Sequence, residues 1–138
     1  VADMGLKPMS ATSSLPENPA EEAPVLRQDR GAVAHLILNR PGAYNALSME
    51  TMGHFIQLLD ELNETPSIAA VVIEARGPGF CAGHDLKEMR VNPGTEFREL
   101  TFSTCSTLML RLTSLRQPVI AQVFDQPFST ISRSRISG

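Results

Sequence analysis

The residues best equipped for chemistry lie close together, where Gly77, Gly79 and Gly83 interleave with Cys81, His84 and Asp85. A cysteine, a histidine and an aspartate this close offer either a thiol nucleophile beside its base or one corner of a metal site. Neither a second ligand pair nor a matching catalytic partner is visible in the rest of the chain, so no metal is expected, and a cysteine in an apolar loop is most often a small hydrophobe. His35 sits in an apolar strand pattern and His54 in a helical one, positions that usually pack or face solvent. The glycines let a backbone approach a ligand, but the spacing G-x-G-x-x-x-G is one residue longer than the dinucleotide fingerprint. Pro78 also stiffens the turn, no acidic residue closes a following strand, and no G-x-x-x-x-G-K-[ST] phosphate loop exists. Backbone chemistry remains. A loop ending at Gly83-His84, just ahead of a short helix, can direct the His84 N–H at an oxygen that becomes negative, with the helix dipole aligned to help. That is half of an oxyanion hole, and Asp85 behind it reads as a helix cap rather than an acid.

The elements that must position this loop follow from periodicity. Val33 to Leu38 is a short apolar run ended by Arg40, Pro41 and Gly42, the pattern of a first strand. Met49, Met52, Phe55, Ile56, Leu59 and Leu62 recur at spacings of three and four, predicting a helix with Ser48 as its cap and Pro66 closing its exit. Ile68 to Ile73 reads as a second strand covered on both faces, Asp85 to Arg90 as a short helix, and Thr95 to Leu115 as a long helix. The face expected for that long helix carries Phe97, Leu100, Cys105, Leu108, Leu112 and Leu115. Val119 to Phe124 is the third strand. Strands alternating with helices predict an α/β fold with a parallel sheet and right-handed helical crossovers. Residues 1–31 carry four prolines and no apolar period, which predicts a flexible leader; residues 125–138 read as a tail of the same kind, leaving 32–124 as the ordered domain.

Of the 138 residues, 42% are hydrophobic and 20% charged, the range of a globular domain. A formal charge of -3 gives no field to gather nucleic acid or anionic lipid, so neither partner is expected. No apolar run approaches the ~20 residues of a membrane span. Two cysteines form no disulfide framework and fit a reducing compartment, the cytoplasm by expectation with the mitochondrial matrix as the alternative. The acids within residues 1–30 argue against a transit peptide there.

Two segments then resemble one family. LNRPGAYNALSMETM, with the turn Arg40, Pro41, Asn45, Ala46 and Leu47, and VVIEARGPGFCAGHDLKEM, with the loop Phe80, Ala82, Gly83, Asp85 and Leu86, are similar in order and spacing to the enoyl-CoA hydratase/isomerase, or crotonase, family. The resemblance runs from about Ala32 to Val123. It implies a crotonase-like spiral of ββα units, here incomplete, and an acyl-CoA thioester whose carbonyl oxygen lies between two backbone N–H groups that hold an enolate. His84 matches the first donor through its N–H. Ala43, Tyr44, Asn45 and Ala46, with Cys81, Ala82, Gly83, His84, Asp85 and Leu86, match the parts lining the CoA and pantetheine path. No separate cofactor is implied, coenzyme A being part of the substrate.

After the PVIAQV strand the family continues into a glycine-rich turn bearing the second donor, and further on into the acid and base carboxylates and the trimer-building helices. Here Phe124, Asp125, Gln126, Pro127 and Phe128 stand at that turn. Glu88, Glu96 and Glu99 align with no catalytic position and read as solvated helix faces. The expectation is a truncated family member, weakly active or inactive alone. The alternative is a binding or regulatory module that associates with full-length family subunits, as a homo- or hetero-oligomer.

Overall fold

The computed structural model describes residues 22–123, so the expectations for 1–21 and for the tail from Asp125 lie outside the described residues. Seven main elements follow in order: β1 (Val25–Arg30), β2 (Val33–Leu38), α1 (Met49–Asn63), β3 (Ala70–Ala75), α2 (Leu86–Val91), α3 (Thr95–Ser114) and β4 (Val119–Ala121). They build a four-stranded sheet in the order β1-β2-β3-β4, antiparallel between β1 and β2 and parallel thereafter. The α/β architecture with a mostly parallel sheet and helical crossovers is the one expected.

Three boundaries differ. The leader expected over residues 1–31 gives way at Val25, where VLRQDR pairs with β2 across a two-residue turn at Gly31 and Ala32. Gly31 has φ +62°, the positive value that tight hairpin turns require at their first central residue. The second strand lies two residues later than Ile68–Ile73 suggests: Ile68 is buried in the core without joining the strand, and the strand runs on through Glu74. Glu74 pairs there with Nδ1 of His35 on β2. The third strand stops at Ala121, short of Phe124.

One face of the sheet carries the core. Val25, Ala34, Leu36, Leu38, Val71 and Ile73 pack with Met52, Phe55, Leu59 and Leu62 of α1 and with Leu108 of α3. Ser48 caps α1 as expected, its Oγ accepting the Thr51 N–H at 3.1 Å. At the other end of α1, Gln117 Nε2 donates to the Leu62 and Ile68 carbonyls, fastening the approach to β4. The inner face of α3 departs from expectation by one position. Thr101, 1% exposed, takes the place foreseen for Leu100, which is 53% exposed. The spacing 101, 105, 108, 112 and 115 keeps the helical period, whereas Leu100 does not. Leu100, Phe102, Met109 and Leu110 thus face outward. No helix among the described residues is long and apolar enough to cross a membrane.

Candidate functional site

Two segments meet beyond the carboxyl ends of β2 and β3, the region where parallel α/β sheets place their ligands. The first leaves β2 through the 3-10 turn Pro41–Ala43 and then through Tyr44 and Asn45, both left-handed at φ 52° and 57°. The second leaves β3 through Gly77 and Gly79 to Gly83, which has φ +91°. A parallel bridge joins Leu47 to His84. The Leu47 N–H donates to the Gly83 carbonyl at 2.7 Å, and the Asp85 N–H donates to the Leu47 carbonyl at 3.1 Å. In such a bridge the flanking groups turn toward the partner strand, so the middle residue's own N–H turns away from it. The His84 N–H accordingly donates to no acceptor among the described residues.

Asn45 and Arg40 fasten this arrangement. Asn45 is 2% exposed; its Oδ1 accepts the Arg40 N–H at 2.7 Å, and its Nδ2 donates to the Arg76 carbonyl at 2.9 Å and the Gly79 carbonyl at 2.8 Å. Arg40 Nη1 donates to the Ala46 carbonyl at 2.8 Å and to Asp85 Oδ2 at 3.2 Å. The Ala82 N–H adds a bond to the Tyr44 carbonyl at 3.0 Å. Every cross-link runs between the two segments or within the turn that presents them.

Asp85 caps α2, its Oδ1 accepting the Glu88 N–H at 3.1 Å. That bond foremost, and after it the bond from the Arg40 guanidinium, hold its carboxyl below the ordinary range against the opposing effect of burial. A carboxyl with a lowered folded value adds stability that is fully present above the unfolded value, about 3.9, and is lost as pH falls through the folded value. On acidification below about pH 4 the wild-type chain is therefore expected to lose stability more steeply than Asp85→Asn. Urea unfolding across that range checks this, and parallel curves would contradict it.

The residues matched to a ligand path divide by exposure. Tyr44, Cys81, Ala82, Gly83 and Leu86 are exposed, Ala43, His84 and Asp85 are half-buried, and Asn45 and Ala46 are buried. Asn45 therefore acts through the backbone it holds. The His84 side chain is engaged too: its ring meets Phe102 of α3 edge to face, with centroids 5.4 Å apart. Glu88 departs from its reading as a solvated residue, because its Oε1 accepts the Met49 N–H at 2.9 Å and so satisfies an open donor in the first turn of α1. Sequence spacing gives no sign of that bond, which joins residues 39 positions apart. Glu96 and Glu99 are exposed on α3. No group of three or more His, Cys, Asp or Glu among the described residues could hold a metal ion.

Two cavities adjoin the loop. One, of about 520 Å³, is lined by His84, Phe102, Cys105, Ser106, Met109 and Leu110. The other, of about 410 Å³, is lined by Leu47 and Cys81 and by side chains of both long helices and the sheet, and Met109 borders both.

Comparison with known proteins places these segments in context. A family model described as enoyl-CoA hydratase/isomerase matches residues 28–126. The mitochondrial enoyl-CoA hydratase domain-containing protein 3 of Danio rerio is 34% identical over 98 residues, 71% of this chain and 34% of that protein. Enoyl-CoA hydratase EchA19 of Mycobacterium tuberculosis is 34% identical over 100 residues, 71% of this chain and 38% of that protein. Among solved structures, an enoyl-CoA hydratase of Mycobacterium smegmatis superimposes with a TM-score of 0.70 at 44% identity, covering 72% of this chain and 39% of its own. Human enoyl-CoA hydratase domain-containing protein 3 gives 0.69 at 28% identity, covering 72% and 40%. The chain thus spans between a third and two-fifths of the length of these relatives.

Proposed function

Since the chain belongs to the enoyl-CoA hydratase/isomerase family, we propose that it holds an acyl-CoA thioester with the carbonyl oxygen on the His84 N–H. The observation that carries this is the Leu47–His84 bridge, which leaves that N–H turned outward and without an acceptor among the described residues. An N–H fixed in this way costs no reorganisation when negative charge develops on the oxygen, as it does when a proton leaves the carbon beside the thioester.

Proton transfer has no comparable support among the described residues. Glu88 is committed to the Met49 N–H, and no bond or loop directs Glu96 or Glu99 at His84. One missing oxyanion donor lowers a rate about 100-fold to 1000-fold, and an unplaced acid or base about 100-fold to 10,000-fold. By itself this chain therefore binds thioester and turns over enoyl-CoA at a negligible rate. A hydration assay with purified chain and a short enoyl-CoA tests this. Turnover that is lost in Glu88→Gln or Glu99→Gln would show a base acting in the short fold and overturn the reading.

A second reading has its own observation. Leu100, Phe102, Leu110, Ile120 and Val123 are each about half exposed or more, and exposed apolar side chains of this size suit association with family subunits. Size exclusion of the chain alone and after mixing with a full-length relative tests that module role. The mitochondrial designation of the vertebrate relatives favours the mitochondrial matrix over the cytoplasm as the compartment.

Binding separates backbone from side chain. Gly83→Pro forces φ from +91° to about -65° and re-aims the next N–H, so it is expected to weaken butyryl-CoA binding at least ~10-fold, the worth of about 1.4 kcal/mol. His84→Ala keeps the N–H and is expected to lose less. Calorimetric affinities in the opposite order would contradict the assignment.

A further inference from the structure

We infer that the Cys105 thiol adds covalently to the β-carbon of an α,β-unsaturated thioester, with the His84 imidazole moving the proton, an inference that rests on the thioester reading above. Two thiols stand near the donor loop, and the structure separates them. Cys81 is exposed on the loop and borders the cavity of about 410 Å³. Cys105, half-buried on α3, borders the cavity of about 520 Å³ together with His84 and Ser106. The thiol that shares this cavity with the imidazole is thus the one distant from it in sequence. His84 Nδ1 is buried and meets no hydrogen-bond partner among the described residues, an arrangement rare enough in folded proteins to ask for a role. A thiol beside an uncommitted imidazole is the pattern of an activated nucleophile.

Placement chooses the electrophilic atom. The thioester carbonyl is held at the loop, whereas Cys105 stands on α3 and so faces atoms further along the acyl chain. In an α,β-unsaturated thioester the β-carbon is electrophilic because its π electrons can move toward the carbonyl oxygen, where the His84 N–H receives the charge. The thiol gives its proton to the imidazole, and the sulfur–carbon bond forms at the β-carbon as the π pair shifts to that oxygen. The imidazolium then returns the proton to the α-carbon as the carbonyl re-forms. One S–H is added across one C=C; no bond to coenzyme A breaks, and nothing is oxidised or reduced. Addition of a thiol needs a single base and no placed water.

The test is intact-mass and peptide mass spectrometry of the 138-residue chain incubated with crotonyl-CoA, with butyryl-CoA as the saturated control. The expected result is a gain equal to one whole crotonyl-CoA, mapped to Cys105 and absent with butyryl-CoA. His84→Ala should slow the gain about 100-fold, the lower end of what a positioned base contributes, while its calorimetric affinity for butyryl-CoA falls far less. A gain of the acyl group alone would show transfer at the carbonyl carbon and overturn the addition. An adduct on Cys81, or equal rates in wild type and His84→Ala, would overturn the pairing of Cys105 with His84. If butyryl-CoA binds and crotonyl-CoA leaves no adduct, the inference falls and the thioester reading stands. If neither thioester binds or reacts, both fall.

Discussion

Asn45→Ala is expected to cost about 4 kcal/mol of folding stability, roughly 1 kcal/mol for each of three hydrogen bonds and about 1 kcal/mol for placing alanine in the left-handed region. The three bonds are those with the Arg40 N–H and the Arg76 and Gly79 carbonyls, and the backbone at position 45 sits at φ 57°. Two companions separate the contributions. Asn45→Gly removes the conformational cost alone and is expected to recover about 1 kcal/mol relative to alanine. Asn45→Asp keeps the acceptor for Arg40 but sets a carboxylate against two carbonyl oxygens, so it should be at least as damaging as alanine. Urea midpoints with unchanged slopes measure all three. An alanine variant within about 0.5 kcal/mol of wild type, the ordinary range of surface substitutions, would show that Asn45 does not hold the two segments together.

Gly77→Ala is expected to cost about 3 kcal/mol. A Cβ at this position would lie 2.6 Å from the Pro41 Cβ and 3.1 Å from its Cα, and a proline ring with its backbone has no freedom to swing aside. Overpacking of this kind costs about 1 to 3 kcal/mol, and φ +89° adds about 1 to 2 kcal/mol for an L-residue. The consequence reaches beyond stability, because the close approach of Pro41 to Gly77 sets the separation of the two segments that present His84. Gly42→Ala, in the same turn but with open space around its Cβ, is the control and should fall within ~0.5 kcal/mol of wild type. Equal costs for the two variants would contradict the packing assigned to Gly77.

Much of this arrangement was legible in the chain because the strongest local patterns coincide with the tertiary structure. β2 occupies the apolar run Val33–Leu38 from end to end, α1 begins at its Ser48 cap, and α2 begins directly after Asp85. β1 escaped because Val25–Arg30 holds two apolar residues among four polar ones; it is a strand by virtue of its neighbour, and Gly31 between them was the one local sign. Leu100 was misplaced because a small polar residue, Thr101, packs where periodicity favours leucine. At the site, the two motifs mark the segments that the Leu47–His84 bridge joins, and the His84 N–H turns away from that bridge. What stayed hidden were the bonds between distant positions. Asn45 matches a ligand path through the family resemblance yet is spent on three internal partners, and Glu88 reads as solvated although the first turn of α1 claims it.

The role of the His84 backbone is tested most directly by an amide proton–nitrogen correlation titration with butyryl-CoA. The His84 amide proton is expected to move downfield on binding, and further than those of Gly83 and Asp85, since the Asp85 N–H already donates to the Leu47 carbonyl. In His84→Ala the amide at the same position should move in the same direction, because the donor belongs to the backbone. An amide at position 84 that stays in place while saturating thioester shifts its neighbours would contradict the assignment of this N–H to the thioester oxygen.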